Sequence, residues 1–89
     1  MGKIVTKNTN VGYFDTLEGE VLREGDCLHI RWPSGFVQRV EVYIEIVTRG
    51  DLRNGFVVEA ECYKAYAKVP VVGGDAKLFL NGFEAQKVR

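Results

Sequence analysis

The chain is short of the residues that most often carry chemistry. It has one histidine, two cysteines, two prolines and one tryptophan in 89 residues. A single histidine leaves a structural zinc site dependent on carboxylates, so no metal or other cofactor is expected. Cys27 and Cys62 are too few for a disulfide framework, and with no sign of export they read as reduced thiols of a cytoplasmic protein. An excess of either charge is missing as well. The 12 basic residues balance the 12 acidic ones, which removes any bulk attraction to nucleic acid or to an anionic membrane. No apolar run is long enough to cross a bilayer, and Met1 to Lys7 is too polar for a signal peptide. No useful stretch has the helical period, and there is no repeat or low-complexity tract. With 46% hydrophobic residues the chain is nonetheless expected to fold, as one domain with one small core.

What is present is a set of turns. Trp32-Pro33-Ser34-Gly35-Phe36 suits a three-residue hairpin loop, with Pro33 presetting φ and Gly35 supplying a left-handed residue. Asn54-Gly55 is a strong two-residue hairpin signal, and Gly73-Gly74 is another. Followed through the flanking strands, the three turns set Leu28 opposite Val40, Val40 opposite Val69, and Val69 opposite Leu78. Three independent turns thus agree on one apolar row.

Residues 1–16 read as an N-terminal arm with a short strand at Ile4-Val5, and residues 17–89 as the folded domain. A first core strand is expected from Leu17 to Leu22, closed by Arg23-Glu24-Gly25-Asp26. Cys27 to Trp32 alternates cleanly, and Phe36 to Val47 continues the pattern with Val40, Val42, Ile44 and Ile46 inward. In Phe56 to Val71 the apolar parity switches: Tyr63, Ala65, Ala67 and Val69 share one face, Val58, Ala60 and Cys62 the other. Either a bulge near Cys62 resets the register or a straight arm offers its other face to a different partner. The fold class is all-β: a strongly bent antiparallel meander of about five or six strands, curled into a single small barrel that protects its edges.

The stretch Gly25-Asp26-Cys27-Leu28-His29-Ile30-Arg31-Trp32-Pro33-Ser34-Gly35-Phe36 resembles the central hairpin of SH3-like barrels of the Tudor and KOW type. Tyr63-Lys64-Ala65-Tyr66 and Ala76-Lys77-Leu78-Phe79-Leu80 look like the fourth and fifth strands of such a barrel. The whole is also similar to the small barrel proteins carried on integron gene cassettes, many without an assigned activity. The resemblance implies a fold; a function taken from it would be analogy.

Candidate chemistry is thin. His29, Ser34 and Asp26 form the one triad-like set, but Ser34 is a turn residue and His29 belongs to the outer face of a strand. Glu59 and Glu61 are ~7 Å apart along one strand face, without an apolar pocket to raise either pKa. Glu41 and Glu45 are expected opposite Lys68 and Lys64, flanking Tyr43 opposite Tyr66, as a structural ladder. That ladder, with outward Phe79 and flanked by Lys68, Arg39 and His29, is the best recognition surface, joined by Leu52, Phe56 and Val58 of the arm. An aromatic cage of Trp32, Phe36 and Tyr43 is the weaker option, since Trp32 and Phe36 are expected to pack on the core side. The expected function is a non-catalytic module that self-associates as a homodimer, or takes a protein or peptide partner. One alternative is a nucleic-acid-binding barrel using Arg31, Arg39, Lys64 and Lys68. Another is a small-molecule binder or enzyme whose site, with acidic pairs such as Glu59 and Glu61, lies at a subunit interface.

Overall fold

The computed structural model describes residues 1–53 and 55–89, and of residues 51–53 and 56–58 the backbone alone. The chain is all-β, as its alternation implies. The strands are β1 (Gly2–Lys3), β2 (Val5–Thr9), β3 (Gly12–Leu17), β4 (Glu20–Val21), β5 (Cys27–Arg31), β6 (Val37–Glu41), β7 (Tyr43–Arg53), β8 (Phe56–Val71), β9 (Gly74–Phe79) and β10 (Glu84–Lys87). No helix among the described residues is long and apolar enough to cross a membrane.

The strands form two sheets rather than one closed barrel: β1-β10-β5-β6, and β2-β3-β8-β7 with β4 on β3 and β9 on β8. The chain passes between the sheets four times, and each time at one buried aliphatic residue: Ile4, Leu22, Val42 and Leu80. At each crossing the backbone leaves its ladder and bonds elsewhere. Ile4 N–H donates to Phe83 O, Leu22 N–H to Asp15 O, Val42 N–H to Asp26 O and Leu80 N–H to Ala65 O, at 2.8–3.0 Å. The expected continuous strand from Phe36 to Val47 is therefore broken at Val42. These four side chains join Leu28, Ile30, Val40, Ala65, Ala67, Ala85 and Leu17 in one core, with Trp32, Ile44, Leu78 and Phe83 packed against it.

Two sequence expectations near the N-terminus change. Residues 1–16 supply β1, β2 and most of β3, and they bury Ile4 and Asp15, so this segment is built into the sheets. Leu17 to Leu22 is a hairpin instead of one strand: Glu18 and Gly19 turn at φ 52° and 81°, and β4 pairs back on β3. The Glu18-Gly19 step is a two-residue turn of the kind that needs positive φ.

Leu28 stands opposite Val40, as the first turn implies; Gly35 N–H donates to Trp32 O, and Trp32 N–H to Phe36 O, both at 2.8 Å. The second register runs without a bulge from Tyr43 opposite Tyr66 to Arg53 opposite Phe56, so the arm is straight; Asn54 of its turn lies outside the described residues. The third turn is Val72-Gly73 instead of Gly73-Gly74, and Val71 faces Gly74. Val69 accordingly faces Ala76, and Leu78 faces Ala67. The partner shifts by two positions, an even number, so every side chain keeps its expected face.

β8 organises the six-stranded sheet. One edge carries β7; the other is shared by β3, parallel at Cys62 and Tyr63, and then by β9 from Tyr66 onward. Between the two partners the Ala65 amide donates to Asp15 Oδ2 at 2.8 Å, and the Thr6 hydroxyl donates to Asp15 Oδ1 at 2.8 Å. β3 approaches closely enough that a Cβ at Gly12 would sit 2.5 Å from the Glu61 carbonyl oxygen, and Gly12 has φ 144°.

Asp15→Ala leaves the buried Ala65 amide without its acceptor and is expected to cost about 2–3 kcal/mol in urea unfolding, with Asp15→Asn costing less because one acceptor oxygen remains. An unchanged unfolding midpoint for Asp15→Ala contradicts this role. Gly35→Val is expected to cost more than about 1 kcal/mol. No atom lies within 4 Å of a Cβ at Gly35, so the loss measures the φ of 92° alone.

Candidate interaction face

Three neighbouring strands align one row of aromatic side chains. Tyr43 of β7 stands opposite Tyr66 of β8, which stands opposite Phe79 of β9. The Tyr43 and Tyr66 rings stack with centroids 5.7 Å apart, and Tyr66 and Phe79 lie 6.1 Å apart at a tilt of 60°. Their chain neighbours Ile44, Ala65, Ala67 and Leu78 contribute to the core, so alternation turns the three rings away from it. Phe79 is the most open of them, at 43% exposure.

Each ring carries a lysine. Lys68 Nζ lies 4.3 Å from the Tyr43 centroid, Lys77 Nζ 5.0 Å from Tyr66 and Lys64 Nζ 5.6 Å from Phe79. Backbone register sets Lys68 directly opposite Lys77, an unfavourable like-charge pair, and the negative ring faces offset it. The expected charge ladder is rearranged. Glu45 faces Lys64 in register but bonds through Oε1 to Lys77 Nζ at 2.7 Å. Glu41 pairs in β6 with Cys27 rather than across from Lys68, and its carboxylate accepts the Tyr43 hydroxyl at 2.8 Å.

These contacts move three titrations in one direction. The hydrogen bond to Glu41, and then its charge, hold the Tyr43 hydroxyl above its ordinary pKa. A bond to Glu61 does the same for Tyr63. The bond to Glu45, and then its charge, raise Lys77 against the opposing effect of desolvation. All three are proton donors in these bonds, so the bonds persist below the ordinary pKa values and are lost as pH rises through the raised ones.

The face continues along the arm. Val47 stands opposite Cys62, and the Arg49 guanidinium lies 5.8 Å from the ring of Tyr13, which β3 sets beside Cys62. On the opposite face Phe14 and Tyr63 stack at 4.6 Å, nearly parallel. Ile46 and Val47 are 59% and 38% exposed, because the arm runs past the core. The side chains of Leu52, Phe56 and Val58, expected to take part, lie outside the described residues.

Other expected residues are dispersed. Arg31 and Arg39 belong to β5 and β6 of the four-stranded sheet, where Arg31 pairs with Glu84 at 3.5 Å and Arg39 stands opposite His29. Only Lys64 and Lys68 of the expected cation set share the aromatic face. Trp32 follows β5 of the four-stranded sheet and Tyr43 opens β7 of the other, so the expected cage is not assembled. Trp32 meets Phe83 edge-on at 5.2 Å and donates its indole N–H to Gln38 Oε1 at 3.0 Å; Phe36, expected to pack, is 64% exposed. Trp32, Phe83, Pro33 and Asn81 line a cleft of about 460 Å³. Of the triad-like set, Asp26 accepts the Arg23 amide at 3.0 Å and the Ser34 hydroxyl oxygen faces the Phe36 amide at 3.5 Å, both local turn bonds. Glu59 and Glu61 are exposed, and no cluster among the described residues is placed to hold a metal. Lys77 and Tyr13 were missed by sequence reasoning. Lys77 was findable from a Val72-Gly73 turn, whereas the parallel contact that places Tyr13 has no local signal.

Glu45→Gln is expected to return the Lys77 ammonium towards its ordinary pKa, read by side-chain NMR titration, while the β-sheet spectrum stays unchanged. A Lys77 titration indifferent to the substitution contradicts the bond.

No protein-family model, no curated protein and no solved structure matches the chain.

Proposed function

We propose that the protein is a non-catalytic interaction module that self-associates as a homodimer, through the 47–62 arm together with the Tyr43/Tyr66/Phe79 face. The observation that carries this reading is β7: an eleven-residue strand at the end of its sheet, with Ile46 and Val47 exposed on its two faces. A long edge that carries exposed aliphatic side chains is an invitation to further pairing. The likeness of residues 25–36 to Tudor and KOW hairpins accords with a binding role by analogy. A cytoplasmic setting fits Cys27 and Cys62, both free thiols.

A second reading has one observation in its favour: a row of three aromatic rings interleaved with three lysines, the arrangement that single-stranded nucleic acid uses for stacking and phosphate contact. Against it, the lysines already cover the rings, and Glu41 and Glu45 offset their charge. The enzymatic alternative has no comparable support, since Glu59 and Glu61 are solvent-exposed.

Sedimentation across a concentration series tests the first reading. The wild type is expected to shift from monomer to dimer in the micromolar range, and Ile46→Lys to remain monomeric with its β-sheet spectrum intact, because an exposed side chain costs the monomer within about 0.5 kcal/mol. A wild type that stays monomeric at high micromolar concentration ends the reading. Oligonucleotide binding that weakens steeply with salt would favour the second one.

A further inference from the structure

We infer that two copies of this chain join edge to edge through β7, antiparallel, with Val47 of one copy opposite Val47 of the other. The inference rests on the self-association reading above and specifies its geometry. It starts from the outer edges of the two sheets. β2 is a five-residue polar strand containing Lys7, and β6 is a five-residue strand containing Arg39 and Glu41. Short length and charge protect such edges. β7 lacks the protection of short length: it is eleven residues long, contains no proline, pairs with β8 without a bulge, carries charges of both signs instead of one, and among the described residues has β8 as its one strand partner.

Symmetry narrows the register. A two-fold axis perpendicular to the sheet keeps each face on its own side, and directly opposite residues in a ladder point to the same side. One residue must then face its own copy. Centring the axis on Val47 sets Glu45 opposite Arg49 and Arg49 opposite Glu45, with Ile46 opposite Thr48 and Ile44 opposite Gly50. Centring it on Ile46 sets Glu45 against Val47, and centring it on Thr48 sets Arg49 against Val47; each leaves a charge facing an aliphatic side chain. The strand is complementary in charge to itself in the Val47 register. Glu45 is already bonded to Lys77 and Arg49 lies by the Tyr13 ring, but a carboxylate accepts several bonds and a guanidinium carries five donors. Ile46 and Val47, exposed in the single chain, would be covered on opposite faces of the joined sheet. A pairing of seven residues spans roughly 23 Å. A contact confined to one strand edge of that length is small for a stable complex, so a dissociation constant in the micromolar range is expected.

Complementary charge reversal is the decisive experiment. In Glu45→Arg and in Arg49→Glu, every ion pair of the homodimer becomes a like-charge contact, and each variant is expected to dimerise about tenfold or more weakly than wild type. Mixed in equal amounts, the two restore both pairs and are expected to form a heterodimer, read by sedimentation of the mixture against each variant alone. Variants that each dimerise as wild type does, or a mixture no more associated than its components, overturn the register. A wild type that is monomeric overturns the self-association reading itself, a different result. The second measurement does not depend on charge. Because Val47 stands opposite Cys62 within the chain, cysteines are introduced in a Cys27→Ser, Cys62→Ala background. Val47→Cys is expected to cross-link between chains under mild oxidation, since opposed strand residues have Cα atoms within disulfide range, and Thr48→Cys is not. Cross-linking at Thr48 with none at Val47 overturns the proposal.

Discussion

The architecture depends on one carboxylate placed where a strand changes partners. β8 cannot be bonded along its second edge by a single neighbour, because β3 approaches from one end of the chain and β9 from the other. Ala65 sits at the changeover, fully buried, with an amide that neither ladder reaches. A buried amide with no acceptor is costly, and a backbone carbonyl from either strand would have to abandon its own ladder to supply one. Asp15 solves this from the side, and its other oxygen is held by Thr6 on the adjacent strand β2. The Asn81 amide in turn donates to the Thr6 hydroxyl, which ties the turn before β10 into the same group. One acidic side chain thus couples the N-terminal strands, the spine of the large sheet and the crossing into the small one.

The aromatic face follows from that coupling. Leu80 N–H donates to the Ala65 carbonyl, so the residue whose amide donates to Asp15 also fixes where β9 ends. With Leu80 held there, Phe79 is set opposite Tyr66 and Lys77 opposite Lys68. The electrostatics of the face are then a matter of short range. The chain has no net charge, and at about 0.1 M salt the field of its exposed charges is screened over a Debye length of about 10 Å. What a partner meets is local: cations resting on ring faces, and carboxylates that hold a tyrosine hydroxyl and a lysine. Each such contact contributes modestly, because water screens a cation that stays exposed over a ring.

Much of the fold was legible because alternation and turns are local signals. The Pro33-Ser34-Gly35 loop and the Asn54-Gly55 step set two registers correctly, and those put Tyr43 beside Tyr66. The glycine pair at 73 and 74 was ambiguous, since either glycine supplies the positive φ, and the choice moved the partner without changing its face. Glu18-Gly19 escaped notice because glutamate rarely takes positive φ, yet it turns a supposed strand into a hairpin. The sheet crossings were illegible for a different reason. Val42, between Val40 and Ile44, obeys the strand pattern of its neighbours, and only the tertiary bonds of Asp26 and Gly25 take it out of the ladder. Asp15 was illegible for the same reason: its acceptor role is defined by a residue fifty positions away.

The same geometry explains why the long hairpin is the part of the molecule left over. Two small sheets are covered by a core that ends near Ile44 and Ala65, while β7 and β8 continue to Arg53 and Phe56. Past that point the hairpin has β3 on one edge for only two residue pairs, and nothing comparable on the other. An isolated two-stranded ribbon is marginal in water. The parallel contact at Tyr13 and Phe14, the Phe14–Tyr63 stack and the Arg49–Tyr13 contact stiffen the base of this arm without covering Ile46 or Val47. Among the described side chains of the arm, Ile46 and Val47 stay exposed, so the interior gains little from them. In the proposed dimer the straight ribbon and its outer edge serve one purpose: the edge of β7 that, among the described residues, no strand of its own chain covers is the edge that takes the strand of a second copy.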